Sequence, residues 1–251
     1  MLSMLYETPS SVCVMKASHI TPPIVLSALA LACSMVVAAP AGAASASPTS
    51  ILSAAKAALA KQSGVHLVIS VKSGKNTTTE VADLGKTVGV ESVSSGSAKA
   101  TVEISATYGY MGGNSSGLTS LMGLTAAEAK KLGSKWMSLK EGTSPYTDLK
   151  SSATIPALTS LFPAVKGTSS STEQSGGSEI YVLKWTTAKT SSTPALSNVL
   201  TVSEGSNALP IKEVTSDSTA SETTSFSKWG ESVVVTAPAV NQTVAYTTIV
   251  G

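Results

Sequence analysis

Apolar and polar residues alternate along most of the chain beyond residue 64, a pattern that predicts half-buried β-strands. In residues 65–72 (VHLVISVK), Val65, Leu67 and Ile69 fall on one face, and His66 and Ser70 fall on the other. Short polar turns separate the segments that follow, which favours an antiparallel meander. The further predicted strands lie in residues 77–85, 87–96, 97–111, 178–187, 198–205, 208–217, 222–230 and 231–238.

Helical spacing interrupts this alternation near the start of the chain. Apolar residues in 51–61 (ILSAAKAALAK) form one stripe, and Pro48 with Thr49 or Ser50 as the N-cap predicts where the helix begins. Gly64 follows just past its end.

A second helical region, residues 112–166, lies between two halves of the predicted sheet. Thr125 and Glu128 have the spacing of a capping box, and Gly133 ends that helix. Ser144 is the predicted cap of a further helix, and residues 155–162 (IPALTSLF) place apolar side chains along one face. We expect these short helices to cover one face of the sheet.

The first 43 residues have the layout of a secretory signal peptide. Residues 24–39 are apolar and uncharged, and residues 41–43 (Ala-Gly-Ala) fit a cleavage site. Met15 is an alternative start, because Lys16 would then precede the apolar run. The sequence therefore predicts an exported protein with residues 1–43 as the signal and residues 44–251 as a single domain.

Cys33 opens an alternative to plain secretion. Residues 30–33 (ALAC) resemble a lipobox, in which the cysteine is lipidated and anchors the protein to the membrane. The order of Ala30 and Leu31 departs from the usual motif, and apolar residues continue past the cysteine. We therefore expect a secreted or cell-wall-associated protein, with a membrane-anchored lipoprotein as the alternative.

Composition argues against several classes of function. Cys13 and Cys33 both precede residue 44, so the predicted domain has no disulfide and no thiol chemistry. All 17 basic residues are lysines and the net charge is only +2, which makes nucleic acid an unfavoured partner. We expect a monomer without a cofactor.

Catalytic motifs occur without the partners that they need. Residues 113–117 match G-x-S-x-G, but His66, the only histidine after the signal, precedes this serine. Residues 53–56 match S-x-x-K on an ordinary helix, and residues 85–87 end like a phosphate-binding loop but fit a turn. We predict that the protein is not an enzyme.

A metal site is also not predicted. One histidine cannot build a transition-metal site, and Asp83, Asp148 and Asp217 lie too far apart for a calcium loop. Glu80 and Asp83 could form a carboxylate pair, but we interpret them as solvent-facing residues at strand edges.

Three stretches carry a resemblance to a known family: TYGYMGG at 107–113, LTAAEAKKLGSKWMSL at 124–139 and SPYTDL at 144–149. Together with ALPIKEV and FSKWGESVVVTAP further on, they resemble the LolA/LolB-like superfamily, and within it the actinobacterial envelope lipoproteins of the LppX/LprAFG type. The chain departs from that pattern at the lipobox around Cys33 and at Met111 and Gly112, where the family more often has Val-Lys-Gly.

The resemblance implies an α+β fold, a curved antiparallel half-barrel whose concave face is covered by short helices. It also implies a carrier that holds acyl chains of a lipid or lipidated molecule for transport in the cell envelope, with peripheral membrane contact. The competing hypothesis is a non-catalytic envelope or cell-surface interaction module, in which the same residues fill a core and bind no ligand. The residues predicted to line the cavity are Leu118, Leu121, Met122, Leu124, Leu132, Leu149, Ile155, Leu158, Leu161 and Phe162.

Residues 123–139 (GLTAAEAKKLGSKWMSL) have a further predicted role within this fold. Gly123 and Gly133 are expected to act as hinges of a lid formed by the helix between them. Trp136 is expected to anchor the returning strand in the sheet by packing rather than by contact with ligand.

Overall fold

A computed structural model describes residues 46–190, 194–205 and 207–250 of the protein. Its strands are β1 (Gly64–Ser73), β2 (Asn76–Gly85), β3 (Gly89–Ser95), β4 (Ala98–Ile104), β5 (Tyr108–Gly113), β6 (Trp136–Lys140), β7 (Ser169–Ser175), β8 (Ser178–Thr187), β9 (Leu196–Ser203), β10 (Pro210–Ser216), β11 (Ala220–Ser227) and β12 (Thr243–Ala245). Its α-helices are α1 (Pro48–Leu59), α2 (Ser115–Ser120), α3 (Ala126–Leu132), α4 (Ser144–Ser152) and α5 (Tyr246–Val250), and its 3-10 helices are η1 (Ile155–Leu161) and η2 (Val240–Gln242). The predicted signal peptide and Cys33 lie outside the described residues.

The twelve strands form one curved, unclosed sheet in the order β12-β6-β5-β4-β3-β2-β1-β11-β10-β9-β8-β7. Two meanders meet where β1 pairs with β11, so the two ends of the domain are joined at the centre of the sheet. Every strand pair is antiparallel except β12 with β6, which is parallel. The predicted α+β half-barrel with short helices is therefore confirmed.

Several strand boundaries differ from the sequence prediction. The single strand predicted over 97–111 is two strands, β4 and β5, because Ser105 and Tyr108 close a turn between them: the Ser105 N–H donates to the Tyr108 carbonyl oxygen at 2.8 Å. Strand β7, rich in serine and without an apolar alternation, was not predicted, and neither were β12 and α5.

The strand predicted over residues 231–238 is wrong. Residues 231–239 have no regular secondary structure, and a Cβ added to Gly64 or Gly85 would contact Val233. The segment thus crosses the ends of β1 and β2 instead of running beside a strand, so its three consecutive valines join no ladder. Val234, in the same segment, is 80% exposed.

Helix α1 begins at Pro48, two or three residues earlier than predicted. Ser47 is the N-cap, and its hydroxyl accepts a hydrogen bond from the Ser50 N–H at 3.3 Å, while Pro48 occupies the first turn. The prediction of Thr49 or Ser50 as the cap was wrong, because proline has no N–H and a fixed φ and so fits the first helical position.

Helix α3 has the predicted capping box. The Thr125 side chain accepts from the Glu128 N–H, and the Glu128 carboxylate accepts from the Thr125 N–H at 2.7 Å. Gly133 ends the helix with φ +63°, and Gly123 precedes it with φ +72°, both conformations that favour glycine. For α4 the N-cap is Thr143, so the predicted cap Ser144 is the first helical residue.

The two faces of the sheet differ because alternate residues of each strand point in opposite directions. The "covered face", against which the helices pack, carries residues such as Leu67 and Ile69 of β1, Val102 of β4 and Leu200 of β9, all at most 2% exposed. The "open face" is the opposite face and carries residues such as Val68, which is 38% exposed.

Trp136 lies on the open face. The next residue of β6, Met137, pairs with Met111 on the covered face, so the Trp136 side chain is directed away from the helices. The Trp136 ring lies over Gly112, where an added Cβ would come within 2.9 Å of two ring carbons. Trp136 thus packs β6 against β5, as the anchoring role requires.

None of the helices in the described parts of the chain is both long and apolar enough to cross a membrane.

Candidate functional site

The covered face holds the candidate site, because it is where the helices and the sheet enclose side chains. Its apolar residues divide into two large clusters and one small one. The first large cluster lies between β1, β2, β9 and the helices α1 and η1. The second lies between β4, β5, β6 and the helices α2 to α5.

The ten residues predicted to line a cavity are distributed over all three clusters. Ile155, Leu158, Leu161 and Phe162 belong to the first large cluster. Leu118, Leu132 and Leu149 belong to the second, with the half-buried Met122 and Leu124 packed against it, and Leu121 joins Ala98 and Ala100 in the small one. The structure buries these side chains but does not bring them together around one space.

One cavity of about 260 Å³ lies beside the first large cluster. Two of the predicted residues, Leu161 and Phe162, line it together with Trp185 of β8 and the loop of Gly167. It is close to the lower limit of the volumes that small-molecule sites usually have. The lining is mixed: Leu161, Phe162 and the half-buried Trp185 supply apolar surface, and side chains such as Lys166 and Thr187 supply polar groups.

Four glutamates form a polar strip across the covered face, and we call Glu80, Glu91, Glu213 and Glu222 the acidic band. Alternation in β2 places Glu80 on the same face as the buried Ala82 and Leu84. The prediction that Glu80 is a solvent-facing residue at a strand edge is wrong, because Glu80 is only 4% exposed. Its strand lies in the interior of the sheet, between β1 and β3, under the helical layer.

Strand register brings the members of the acidic band together. Glu80 pairs with Val93 of β3, two residues from Glu91, so the two carboxyls are diagonal neighbours on one face. In the other half of the sheet Glu213 pairs with Thr224 of β11, two residues from Glu222. Ile69 of β1, between Glu80 and Thr224, separates the two carboxyl pairs.

Burial raises the pKa of all four carboxyls well above the ordinary value of 4.5. Burial, and to a smaller degree the Glu222 carboxyl, raise the pKa of Glu213 from 4.5 to about 8. Burial raises the pKa of Glu222 to about 7. Burial also raises the pKa of Glu80 and of Glu91, and at Glu80 the carboxyls of Glu91 and Glu222 add to the effect.

Three of the four carboxyls in the acidic band have one buried oxygen without a hydrogen bond to the described residues. Glu80, Glu91 and Glu213 are 4%, 1% and 2% exposed, and the Oε1 atom of each is buried without a hydrogen bond. A buried polar atom without a partner costs about 1–3 kcal/mol. In the parts of the chain that the structure describes, no group of three acidic, histidine or cysteine residues is placed to hold a metal ion.

The residues that were considered for catalysis have structural contacts or lie at the surface. His66 Nδ1 donates to Asp83 Oδ1 at 2.8 Å on the open face, which explains both residues as a cross-strand pair. In the G-x-S-x-G motif Asn114 caps α2, and a Cβ on Gly117 would overlap the Lys99 carbonyl oxygen, so the motif packs a helix against β4. Ser53, of the S-x-x-K motif, is exposed on α1.

Solved structures share this fold. LprF from Mycobacterium bovis is similar with a TM-score of 0.50 and 14% identity, covering 78% of this chain and 100% of LprF. The lipoprotein LppX from Mycobacterium tuberculosis gives a TM-score of 0.47 at 11% identity, covering 75% of this chain and 99% of LppX. No family model matches the sequence, and no curated protein is significantly similar to it. The likeness to LprF is a likeness of fold, and this fold is the one that the predicted resemblance to LppX/LprAFG-type proteins implies.

Proposed function

We propose that the protein is an exported, non-catalytic carrier that holds the hydrocarbon part of a lipid or lipidated molecule between the covered face and its helices. The observation that carries this proposal is the cavity of about 260 Å³ at the edge of the first large cluster, lined by the predicted residues Leu161 and Phe162. Transfer of apolar chains out of water would supply the affinity, at about 0.8 kcal/mol for each buried CH₂ group. The resemblance of the sequence to LppX/LprAFG-type lipoproteins implies the same role.

The helical layer that would have to move is built from short elements. Helices α2 and α3 have six and seven residues, and α4 has nine. Helices this short are marginal by themselves and depend on packing against the sheet. The proposed opening is a displacement of the segment between Gly123 and Gly133, which would enlarge the space beside Leu118 and Leu132 for a chain.

A specific observation favours the alternative, an interaction module with a filled core. Leu118 and Leu158 are 0% exposed and lie inside apolar clusters that already contain their neighbours. In that case the same side chains stabilise the domain and bind no ligand. The two hypotheses predict different results for a charged substitution among the predicted lining residues.

The test uses Leu158→Lys, with Thr159→Lys as the matched control at an exposed position of the same 3-10 helix. Delipidated wild-type protein is titrated with a fluorescent fatty acid, and folding is followed by circular dichroism. The carrier proposal expects saturable uptake by the wild type and by Thr159→Lys. It expects Leu158→Lys to lose uptake while keeping its spectrum, because the ammonium reaches water through the space that a ligand would occupy.

The filled-core alternative expects the reverse pair of results. The wild type would bind no acylated probe, and Leu158→Lys would unfold, since an unpaired charge in a packed core costs several kcal/mol. Extraction of protein purified from its own cells, followed by mass spectrometry of the extract, would identify a carried lipid directly.

The export part of the proposal has its own measurement. The intact mass of the natural protein should match cleavage near residues 41–46, which removes both cysteines. A diacylated N-terminus at Cys33 would instead establish the membrane-anchored form.

A further inference from the structure

The acidic band runs beside the first large apolar cluster and reaches the second at Glu91. Glu91 of β3 has Ala82 of the first cluster on one side and Val102 of the second on the other. Ile69, between the two carboxyl pairs, is itself part of the first cluster. A molecule in contact with the band would therefore also touch hydrocarbon on both sides.

We propose that the acidic band binds the ammonium group of a cationic amphiphile whose hydrocarbon chain lies against the neighbouring apolar clusters. This inference rests on the carrier function proposed above and names the class of ligand. The Oε1 atoms of Glu80, Glu91 and Glu213 are buried acceptors without donors, and an ammonium group supplies N–H donors to them.

The distribution of charge on the sheet also favours a cation. Five strand lysines alternate with covered-face residues, so they lie on the open face with His66. They are Lys72, Lys99, Lys140, Lys184 and Lys212. Among the described strands, the covered face thus carries carboxyls and no basic side chain. Neither ion pair found in the described residues involves the acidic band.

The helices above the first cluster do not provide a counter-charge either. Helix η1 (IPALTSL) contains no charged residue. The single charged residue of α1 is Lys56, which is exposed and whose Nζ lies 5.9 Å from the centre of the Phe162 ring. A bound ammonium would therefore supply the positive charge that neither η1 nor the buried side of α1 offers to an ionised carboxyl of the band.

The geometry favours an organic cation over a metal ion. A metal ion needs several oxygen ligands at one point, and no three acidic side chains are so arranged in the part of the chain that the structure describes. An ammonium group instead needs only acceptors near its N–H bonds, and a carboxyl pair provides them. The apolar neighbours accommodate the attached chain, which a metal ion would leave without a partner.

Binding of an ammonium is expected to release protons. Burial raises the pKa of Glu213 to about 8 and that of Glu222 to about 7, so at pH 7 Glu213 is mostly protonated and Glu222 is about half protonated. A nearby cation lowers these pKa values because it stabilises the carboxylate. At pH 7, uptake of a cationic amphiphile should thus release protons, and uptake of an uncharged one should not.

Three probes with the same chain separate headgroup from hydrocarbon: dodecylammonium, dodecanol and dodecanoate, each below its aggregation concentration. Calorimetric titration of the purified, delipidated protein at pH 7 should show dodecylammonium binding at least about tenfold tighter than dodecanol, and dodecanoate weakest. Titration in buffers with different ionisation enthalpies should show proton release with dodecylammonium alone. Spermidine, a cation without a chain, should bind much more weakly.

The variant Glu80→Gln/Glu222→Gln removes one carboxyl from each pair while keeping side-chain shape. It should reduce the preference for dodecylammonium over dodecanol to less than about twofold and leave dodecanol affinity unchanged. Glu222→Gln alone, at a half-buried position, is the milder variant should the double one not fold. The matched control is Glu103→Gln, a carboxyl with a buried, unpartnered Oε2 on the open face, which should keep the preference.

Each other outcome overturns the inference. Equal affinity for the three dodecyl probes, or a preference that survives in the glutamine variants, would leave the carrier function standing and remove the acidic band as its site. Spermidine binding as tightly as dodecylammonium would exclude an amphiphile. Binding of none of the three dodecyl probes would refute the carrier function and this inference together.

Discussion

Replacing Glu213 by glutamine should make the protein less sensitive to alkaline conditions. Glu213 is 2% exposed and its Oε1 has no hydrogen-bond partner. In the folded chain its pKa is about 8, against an ordinary value of 4.5. Between these two pH values the folded chain keeps a proton that the unfolded chain loses, so the free energy of unfolding falls as the pH rises.

The size of this effect follows from the linkage between protons and folding. One group contributes a loss of about 1.4 kcal/mol for each pH unit, which gives about 4 kcal/mol between pH 5 and pH 8. That is a large part of the 5–15 kcal/mol by which a domain is usually stable. Glu213→Gln should therefore match the wild type at pH 5 and exceed it at pH 8 by up to about 4 kcal/mol.

Urea unfolding at pH 5, 6, 7 and 8, followed by tryptophan fluorescence and circular dichroism, measures this difference. Glu141→Gln, at an exposed position after β6, is the control and should give a curve parallel to the wild type. If Glu213→Gln also runs parallel to the wild type over the whole pH range, Glu213 is not buried as a neutral acid and the reasoning fails.

Two further predictions concern local structure. Gly117→Ala should destabilise the protein by more than about 2 kcal/mol, because its Cβ would overlap the Lys99 carbonyl oxygen, whereas the exposed Ser116→Ala should change thermal stability little. Thr125→Ala removes the capping box shared with Glu128 and should lower stability by about 1 kcal/mol in urea unfolding; an unchanged midpoint would show that the cap is not formed.

Local signals predicted the helices better than the strands at the edges of the sheet. The ends of α3 could be predicted because Thr125, Glu128 and Gly133 determine the helix through hydrogen bonds and φ angles within one segment. The pairing of β12 with β6 could not, since Thr243 and Trp136 are more than 100 residues apart and three-residue strands carry no pattern of their own.

The acidic band was missed for a related reason. Alternation alone places Glu80 with Ala82 and Leu84, and this signal was available in the sequence. The usual exposure of glutamate argued against it. Glu80 is buried because β2 lies in the interior of the sheet under the helical layer, and the pairing of β1 with β11 brings Glu222 to the same face from a distant part of the chain. Such long-range pairing is not visible in one sequence.

The cost of the acidic band bears on the choice between carrier and filled-core module. Each buried carboxyl lowers stability above its ordinary pKa, and each unpartnered oxygen adds a desolvation cost. Apolar side chains fit the same rows of the sheet, as Ile69 beside Glu80 and Leu200 beside Glu213 demonstrate. A module that used its core only for stability would gain from leucine or isoleucine at these positions. In a carrier the same carboxyls would contribute to binding, because their unpartnered oxygens would accept hydrogen bonds from a ligand that has N–H or O–H donors. The carboxyls that lower the free energy of unfolding of the domain without ligand would then be the groups that select the ligand.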